Sequence, residues 1–239
     1  MLMMKKPLWF LLLLALTVAI FIAGYLMVDR YFSQEGRSRK VMQFIRNPGD
    51  YSEWIMPALS RCGDAPFFMP TTGMIGFIWG DSFRPGHRHQ GIDIFAGTGV
   101  GQTPVYAAYD GFLTRNLDWK ASVILRVPSD PLRPGEQIWL YYTHMADPEG
   151  VSLVDMAFPP GTSEVFVRAG TPLGTQGNYS GTPGNPTGIH LHFSIVKDDG
   201  AGEYLNELEI GNTLDPSPYF GLPLNAENNP EGIPTCPSP

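Results

Sequence analysis

Between about Pro66 and Pro223 no stretch of this chain keeps helical periodicity for three turns, and Gly and Pro interrupt it throughout. The segments left between those breaks are short and rich in β-branched or aromatic residues. They are MIGFIWG (74–80), PVYAAYDGFLT (104–114), SVILRV (122–127), QIWLYYTHM (137–145), EVFVRAG (164–170) and HLHFSIV (190–196). Runs of this length suit strands, whose side chains alternate between two faces. Many short strands bounded by turn residues predict an all-β domain, an antiparallel sandwich or barrel-like sheet with an open groove. At 239 residues the chain has room for one such domain plus appendages.

The first appendage is PLWFLLLLALTVAIFIAGYLMV, Pro7 to Val28, which is uncharged and almost wholly apolar. Roughly 20 such residues cross a bilayer as a helix, so the segment predicts a transmembrane anchor. A cleaved signal peptide is the alternative, but its apolar region is shorter and ends at a small-x-small site. Here Phe21 stands two places before Ala23, a poor match, and the length favours an uncleaved anchor. Lys5 and Lys6 before the span are nearly balanced by Arg30, Arg37, Arg39 and Lys40 after it, so charge alone leaves the orientation open. The expected organisation is a tail (1–6), an anchor (7–28), a stalk of one or two short helices (29–65), the β domain (66–222) and a Pro- and Asn-rich tail (223–239).

All 23 acidic residues and 14 of the 16 basic ones follow residue 28, giving that body a net charge of −9. Phosphate binding needs a basic footprint, so this balance argues against nucleic acid as a partner. Cys62 and Cys236 stand near the two ends of the body. They suit a disulfide in an oxidising compartment, or are two unrelated thiols, since connectivity does not follow from sequence.

Four of the five histidines fall into three compact groups. In His89-Gln90-Gly91-Ile92-Asp93 the end residues would share one face of a strand, with Gly91 leaving space above a common cation. A local hydrogen-bonded His–Asp pair is the plainer alternative. In His190-Leu191-His192 both imidazoles would point to one side, with Leu191 and Phe193 on the other. Two exposed histidines on an edge strand would show the same pattern. His144 ends the aromatic strand Tyr142-Thr143-His144, where a lone histidine is more often a core residue. Together the groups offer imidazoles and a carboxylate, the ligands that suit zinc. A catalytic zinc keeps three protein ligands and an open position. No HExxH helix is present, so a glutamate base of that type is missing and a spare histidine would carry the proton.

HxGxD, YxH and GxHLHF in that order resemble the lysostaphin/LytM-type zinc metallopeptidases, peptidase family M23. The similarity extends to MIGFIWGDSFR (74–84), to GIDIFAG followed by TPVYAAYDGFL, to VRAGTPLGTQGNYSG before TGIHLHF, and to LDPSPYF. It covers roughly residues 66–222. The resemblance implies that His89, Asp93 and His192 bind zinc, and that His144 and His190 face the reacting water without ligating the metal. It further implies hydrolysis of peptide bonds in peptidoglycan stem peptides or cross-bridges, in a domain outside the membrane. That placement makes residues 1–6 a cytoplasmic tail and the anchor N-in, C-out.

The chain departs from the family pattern in places. Phe95–Thr103 is slightly longer than the usual loop, residues 145–163 form an insert after the His144 strand, and Ser194 stands where Glu often follows HLHF. His87 is an extra histidine, taken as a rim residue. The loop GNYSGTPGNPTG (177–188) has turn chemistry throughout and suits either a simple connection or a groove wall. Residues 33–60 form a segment that could lie over the site. The alternatives to an active endopeptidase are a catalytically silent wall-binding or amidase-activating module of the same fold, and a structural zinc domain closed by four ligands.

Overall fold

The computed structural model describes residues 6–81 and 86–236, without the side chains of 6–8, 10 and 28–35. It begins with one helix, α1 (Lys6–Arg46), followed by a 3-10 turn over Pro48–Trp54. Ten strands come next: β1 (Ile55–Met56), β2 (Gly73–Phe77), β3 (Ile92–Phe95), β4 (Pro104–Tyr106), β5 (Gly111–Thr114), β6 (Val123–Val127), β7 (Ile138–Thr143), β8 (Val165–Val167), β9 (Pro172–Thr175) and β10 (Leu191–Lys197). A single helical turn, α2 (Ser217–Phe220), lies near the end of the body.

Eight strands pair in the order β1-β2-β3-β10-β7-β6-β5-β8, and β4 pairs with β9 in a separate ribbon. Every named pairing is antiparallel, as the short punctuated segments predict. Val105 of β4 and Leu173 of β9 join Leu113, Leu125, Leu140 and Phe193 of the large sheet in one buried cluster. Two sheets therefore close over a common core. Phe193 packs edge-on against Tyr142 and Phe220, with ring centres 5.1 and 5.5 Å away, so α2 seals the core beside β10. Burying a side chain such as Phe193 stabilises the fold by about 2–3 kcal/mol.

One expected strand divides. PVYAAYDGFLT (104–114) turns at 107–110, so its first part joins the ribbon as β4 and its second joins the large sheet as β5. The 145–163 insert folds back over the ribbon rather than projecting from it. Buried Arg115 holds it, donating from Nη1 to the Phe158 carbonyl (2.9 Å) and from Nη2 to Ser152 Oγ (2.8 Å).

The N-terminal expectation needs correcting. Residues 7–28 are helical, but among the described residues no helix is long and apolar enough to cross a membrane. The side chains of 7, 8, 10 and 28 lie outside the described residues, as do the ends of the LDPSPYF-to-tail segment at 237–239 and the 82–85 part of the family lead-in. In the stalk, α1 continues unbroken to Arg46 and a separate short 3-10 helix follows at Pro48–Trp54. Between 29 and 46 only Gly36 disfavours a helix strongly, and the first Pro after residue 7 is Pro48.

The last turns of α1 pack on the β domain. Val41 and Phe44 form a buried cluster with Met74 and Phe95. Arg37 is 1% exposed and forms an ion pair with Asp81 (Nε–Oδ2, 3.2 Å). Its Nη1 and Nη2 donate to the carbonyls of Gly232 (2.9 Å) and Asn229 (2.5 Å) in the C-terminal tail. Cys62 and Cys236 are joined in a disulfide, resolving the alternatives left by the sequence and pinning that same tail. A buried guanidinium removed from such a pair leaves an uncompensated carboxylate. Arg37→Ala is therefore expected to lower stability by about 3–5 kcal/mol in urea unfolding; a change below about 0.5 kcal/mol would show that the α1 contact contributes nothing.

Candidate metal centre and groove

Sheet register brings together residues that are distant in sequence. Across the β3–β10 pair His192 stands opposite Asp93, and across β10–β7 it stands opposite Thr143, the residue before His144. Alternation along β10 sends Leu191, Phe193 and Ile195 into the core and leaves His192 and Ser194 on the opposite face.

His89 reaches the same point by a different route. It precedes β3, and its backbone is clamped to the turn after β2: its N–H donates to the Asp81 carbonyl (2.6 Å), and its carbonyl accepts from Gly80 (2.8 Å). The shared strand face expected for residues 89 and 93 is thus not what places His89. Gly91 also has another cause. A Cβ there would lie 2.1 Å from the Phe193 carbonyl oxygen, so glycine permits the backbones to approach rather than leaving space over a cation.

The donor atoms converge. Asp93 Oδ1 lies 3.1 Å from His89 Nε2 and 2.8 Å from His192 Nδ1, and those two nitrogens are 3.1 Å apart. All three residues are buried, and one ligand atom from each lies within 4.8 Å of the others. The outer nitrogens are occupied: His89 Nδ1–H donates to the Ile78 carbonyl (3.1 Å), and His192 Nε2–H donates to Glu207 Oε1 (2.9 Å). Each inner nitrogen is thereby turned toward the carboxylate. Two inward imidazole nitrogens and one carboxylate oxygen fit the donor set of a three-ligand zinc site.

His144 and His190 stand beside this cluster. The His144 Nδ1–H donates to the Tyr179 carbonyl and the His190 Nδ1–H to the Gly188 carbonyl, both at 2.7 Å, which leaves each Nε2 as an acceptor. Their ring centres are 4.5 Å apart, and His190 Nε2 is 3.5 Å from Asp93 Oδ1. His190 stacks on Phe95, centre to centre 4.8 Å. His144 has a left-handed backbone (φ 70°), uncommon for a residue with a side chain and costing on the order of 1 kcal/mol. Gly177 allows the 177–179 segment to approach it, since a Cβ there would meet the carbonyl oxygens of Ala146 and His144 at 2.1 and 2.5 Å.

The cluster opens into a groove of about 820 Å³. Met42 and Ile45 of α1 form part of its lining, with Phe77, Trp119, Tyr179 and Leu208 around the rest. Within the 33–60 segment, therefore, the end of α1 borders the site. His87 lines the groove but is outside the three-donor cluster. The 177–188 loop contributes Tyr179, Gly181 and Gly188, so it is a wall as well as a connection. Glu207 escaped the sequence analysis; the one local sign was Ser194, too short to reach the outer nitrogen of a neighbouring ring.

Burial and charge set the protonation pattern. Burial lowers the His144 pKa to about 3, helped by His190 and His192, and burial likewise lowers that of His190. For Asp93, burial pushes upward but its interactions with the surrounding imidazoles, including the bond to His192, hold it well below the usual carboxylate range. Burial works against the charged form of His192, yet its bonds to Asp93 and Glu207 prevail and raise it to about 10. Without metal, His192 therefore carries a proton while His144 and His190 do not.

No protein-family model matches the sequence, and no curated protein matches it. Among solved structures the chain is similar to a protein described as the glycyl-glycine endopeptidase LytM of Ruminococcus gnavus, with 22% identity, TM-score 0.36, and coverage of 54% of this chain and 44% of that one. It is similar to a variant catalytic domain of the prophage-encoded M23 protein EnpA of Enterococcus faecalis, with 22% identity, TM-score 0.36, and coverage of 64% and 98%. It is also similar to lysostaphin, with 22% identity, TM-score 0.39, and coverage of 62% and 49%. The chain thus spans less than half the length of the first and third of these.

The shifted histidines make the stability of the metal-free chain pH-dependent in two directions. His144, lowered to about 3 from 6.5, contributes stability above pH 6.5 that is lost as pH falls toward 3. His192, raised to about 10, contributes stability below pH 6.5 that is lost as pH rises toward 10. Thermal unfolding of the metal-free chain is expected to peak near pH 6.5, with His144→Gln flattening the slope between about pH 6.5 and 4, and His192→Gln the slope above 6.5. Profiles unchanged by both substitutions would contradict this protonation pattern.

Proposed function

We propose that the chain is a zinc-dependent endopeptidase that hydrolyses peptide bonds in peptidoglycan stem peptides or cross-bridges. The observation that carries the reading is the convergence of His89, Asp93 and His192 in one buried cluster, with the imidazoles of His144 and His190 beside it. His89 Nε2, Asp93 Oδ1 and His192 Nδ1 would hold the metal. Bound there, zinc supplies Lewis-acid activation of water near neutral pH.

The other residues account for the rest of the chemistry. With Nδ1–H tied to a backbone carbonyl, His144 and His190 each offer Nε2 as a proton acceptor at the groove. A neutral imidazole so fixed takes a proton from the attacking water. Once protonated, the same nitrogen donates, either to the developing oxyanion or to the leaving amine. Tyr179 and the end of α1 line the groove and would confine an extended peptide above these groups. A closed structural zinc site would need a fourth protein ligand, and among the described residues the cluster has three. The full donor set likewise disfavours a silent binding module. The peptidoglycan substrate rests on the ordered HxGxD, YxH and GxHLHF motifs.

The proposal includes a cell-envelope location for the β domain. Supporting it are the uncharged Pro7–Val28 segment and the exposed apolar side chains along it, among them Leu16, Ile20, Phe21 and Leu26. An exposed array of that kind calls for an apolar partner phase. The Cys62–Cys236 disulfide is compatible with an oxidising compartment for the β domain.

Incubated with purified peptidoglycan, the full-length chain is expected to release peptide-cleaved fragments, identified by mass spectrometry, and a zinc chelator to stop the release. His192→Ala is expected to lose zinc and activity together. His144→Ala is expected to keep zinc while activity falls about 10²–10⁴-fold. Full activity in either variant would overturn these roles, and a folded, zinc-loaded wild-type chain that releases nothing would overturn the enzyme reading.

A further inference from the structure

Glu207 lies outside every sequence motif, yet it makes the closest polar contact on the outer side of His192. Its Oε1 accepts from His192 Nε2–H at 2.9 Å, and its side chain is only 15% exposed. An imidazole can present either nitrogen inward, and which one it presents depends on the partner of the other. A carboxylate accepts but does not donate, so at this position it holds the hydrogen on Nε2 and turns Nδ1 toward Asp93.

The loop that carries Glu207 is held in place. Leu205 N–H donates to the Lys197 carbonyl at the end of β10 (3.1 Å), and Gln90 Nε2 donates to the Leu208 carbonyl (2.7 Å). The second contact links the loop to the residue next to His89. Ser194, buried two positions along β10 from His192, directs its Oγ to the same Glu207 oxygen at 3.4 Å. Among the described residues the ring therefore has carboxylates on both sides, Asp93 inside the cluster and Glu207 outside it.

We propose that Glu207 is a positioning residue for metal binding: it fixes the ring of His192 so that Nδ1 faces the shared site, and it makes the 204–209 loop part of the centre. This rests on the reading of His89, Asp93 and His192 as zinc ligands. Glu207 is outside the three-donor cluster, and removing it leaves all three donors present. Carboxylates in this relation to a ligating histidine typically contribute 10–100-fold to metal affinity.

The test is zinc affinity of the full-length chain, measured by competition with a chromophoric chelator, which requires no turnover. Glu207→Ala is expected to bind zinc about 10–100-fold more weakly, and Glu207→Gln, which keeps an acceptor oxygen, to fall between. The double substitution Ser194→Glu with Glu207→Ala returns a carboxylate to the same face and is expected to recover most of the loss, which a purely structural defect would not. Wild-type affinity in both folded single variants would overturn the role of Glu207 alone. A folded wild-type chain that takes up no zinc would overturn the ligand assignment and this proposal with it. If Glu207→Ala does not fold, the Glu207→Gln affinity decides: a wild-type value overturns the proposal and a weakened one supports it.

Discussion

The antiparallel pairing of β3 with β10 is the contact on which the site depends. It sets His192 opposite Asp93, two residues 99 positions apart, and no local feature could hold them together at 2.8 Å. The pairing requires the backbones to meet closely at Gly91, where any side chain would strike the Phe193 carbonyl. On its other edge β10 pairs with β7, which ends at the left-handed His144. A one-residue slip in β10 would send His192 into the core and Phe193 into the groove. The buried packing of Leu191, Phe193 and Ile195 thus stabilises the fold and selects the register that assembles the donors.

A second constraint acts from the termini. Arg37 bridges α1 to Asp81 and to two tail carbonyls, Lys40 adds a bond to the Glu231 carbonyl, and the disulfide anchors the tail at residue 236. Asp81 is also the residue whose carbonyl accepts from the His89 N–H. The contact that docks α1 is therefore one backbone bond from a proposed ligand, and the docked helix places Met42 and Ile45 in the groove lining. Helix, tail and the His89–Asp93–His192 cluster share a single turn of chain after β2.

Much of this was legible in sequence because period-two alternation is a local property. The sides taken by His192 and Phe193, the antiparallel all-β character and the three local His/Asp groups follow from spacing and residue type, whereas their union in one site was implied by the family resemblance. What escaped depends on tertiary contacts. His89 is placed by bonds to Gly80 and Asp81 rather than by strand alternation. Gly91 answers to a strand 100 residues away, and residues 104–114 divide between two sheets because partners differ before and after the turn at 107–110. Glu207 shows no periodicity or motif, and only the folded loop brings it to His192. The division between anchor and stalk rested on composition, whereas backbone propensity carries one helix through both.

The central claim, that His89, Asp93 and His192 form a three-ligand zinc centre with an open position, is tested most directly by zinc K-edge absorption on the zinc-loaded full-length chain. The account predicts one zinc per chain, ligated by two imidazoles and carboxylate oxygen, with the remaining coordination filled by solvent. Zinc bound by four protein ligands, or a spectrum unchanged when Asp93 is replaced by Ala, would contradict it.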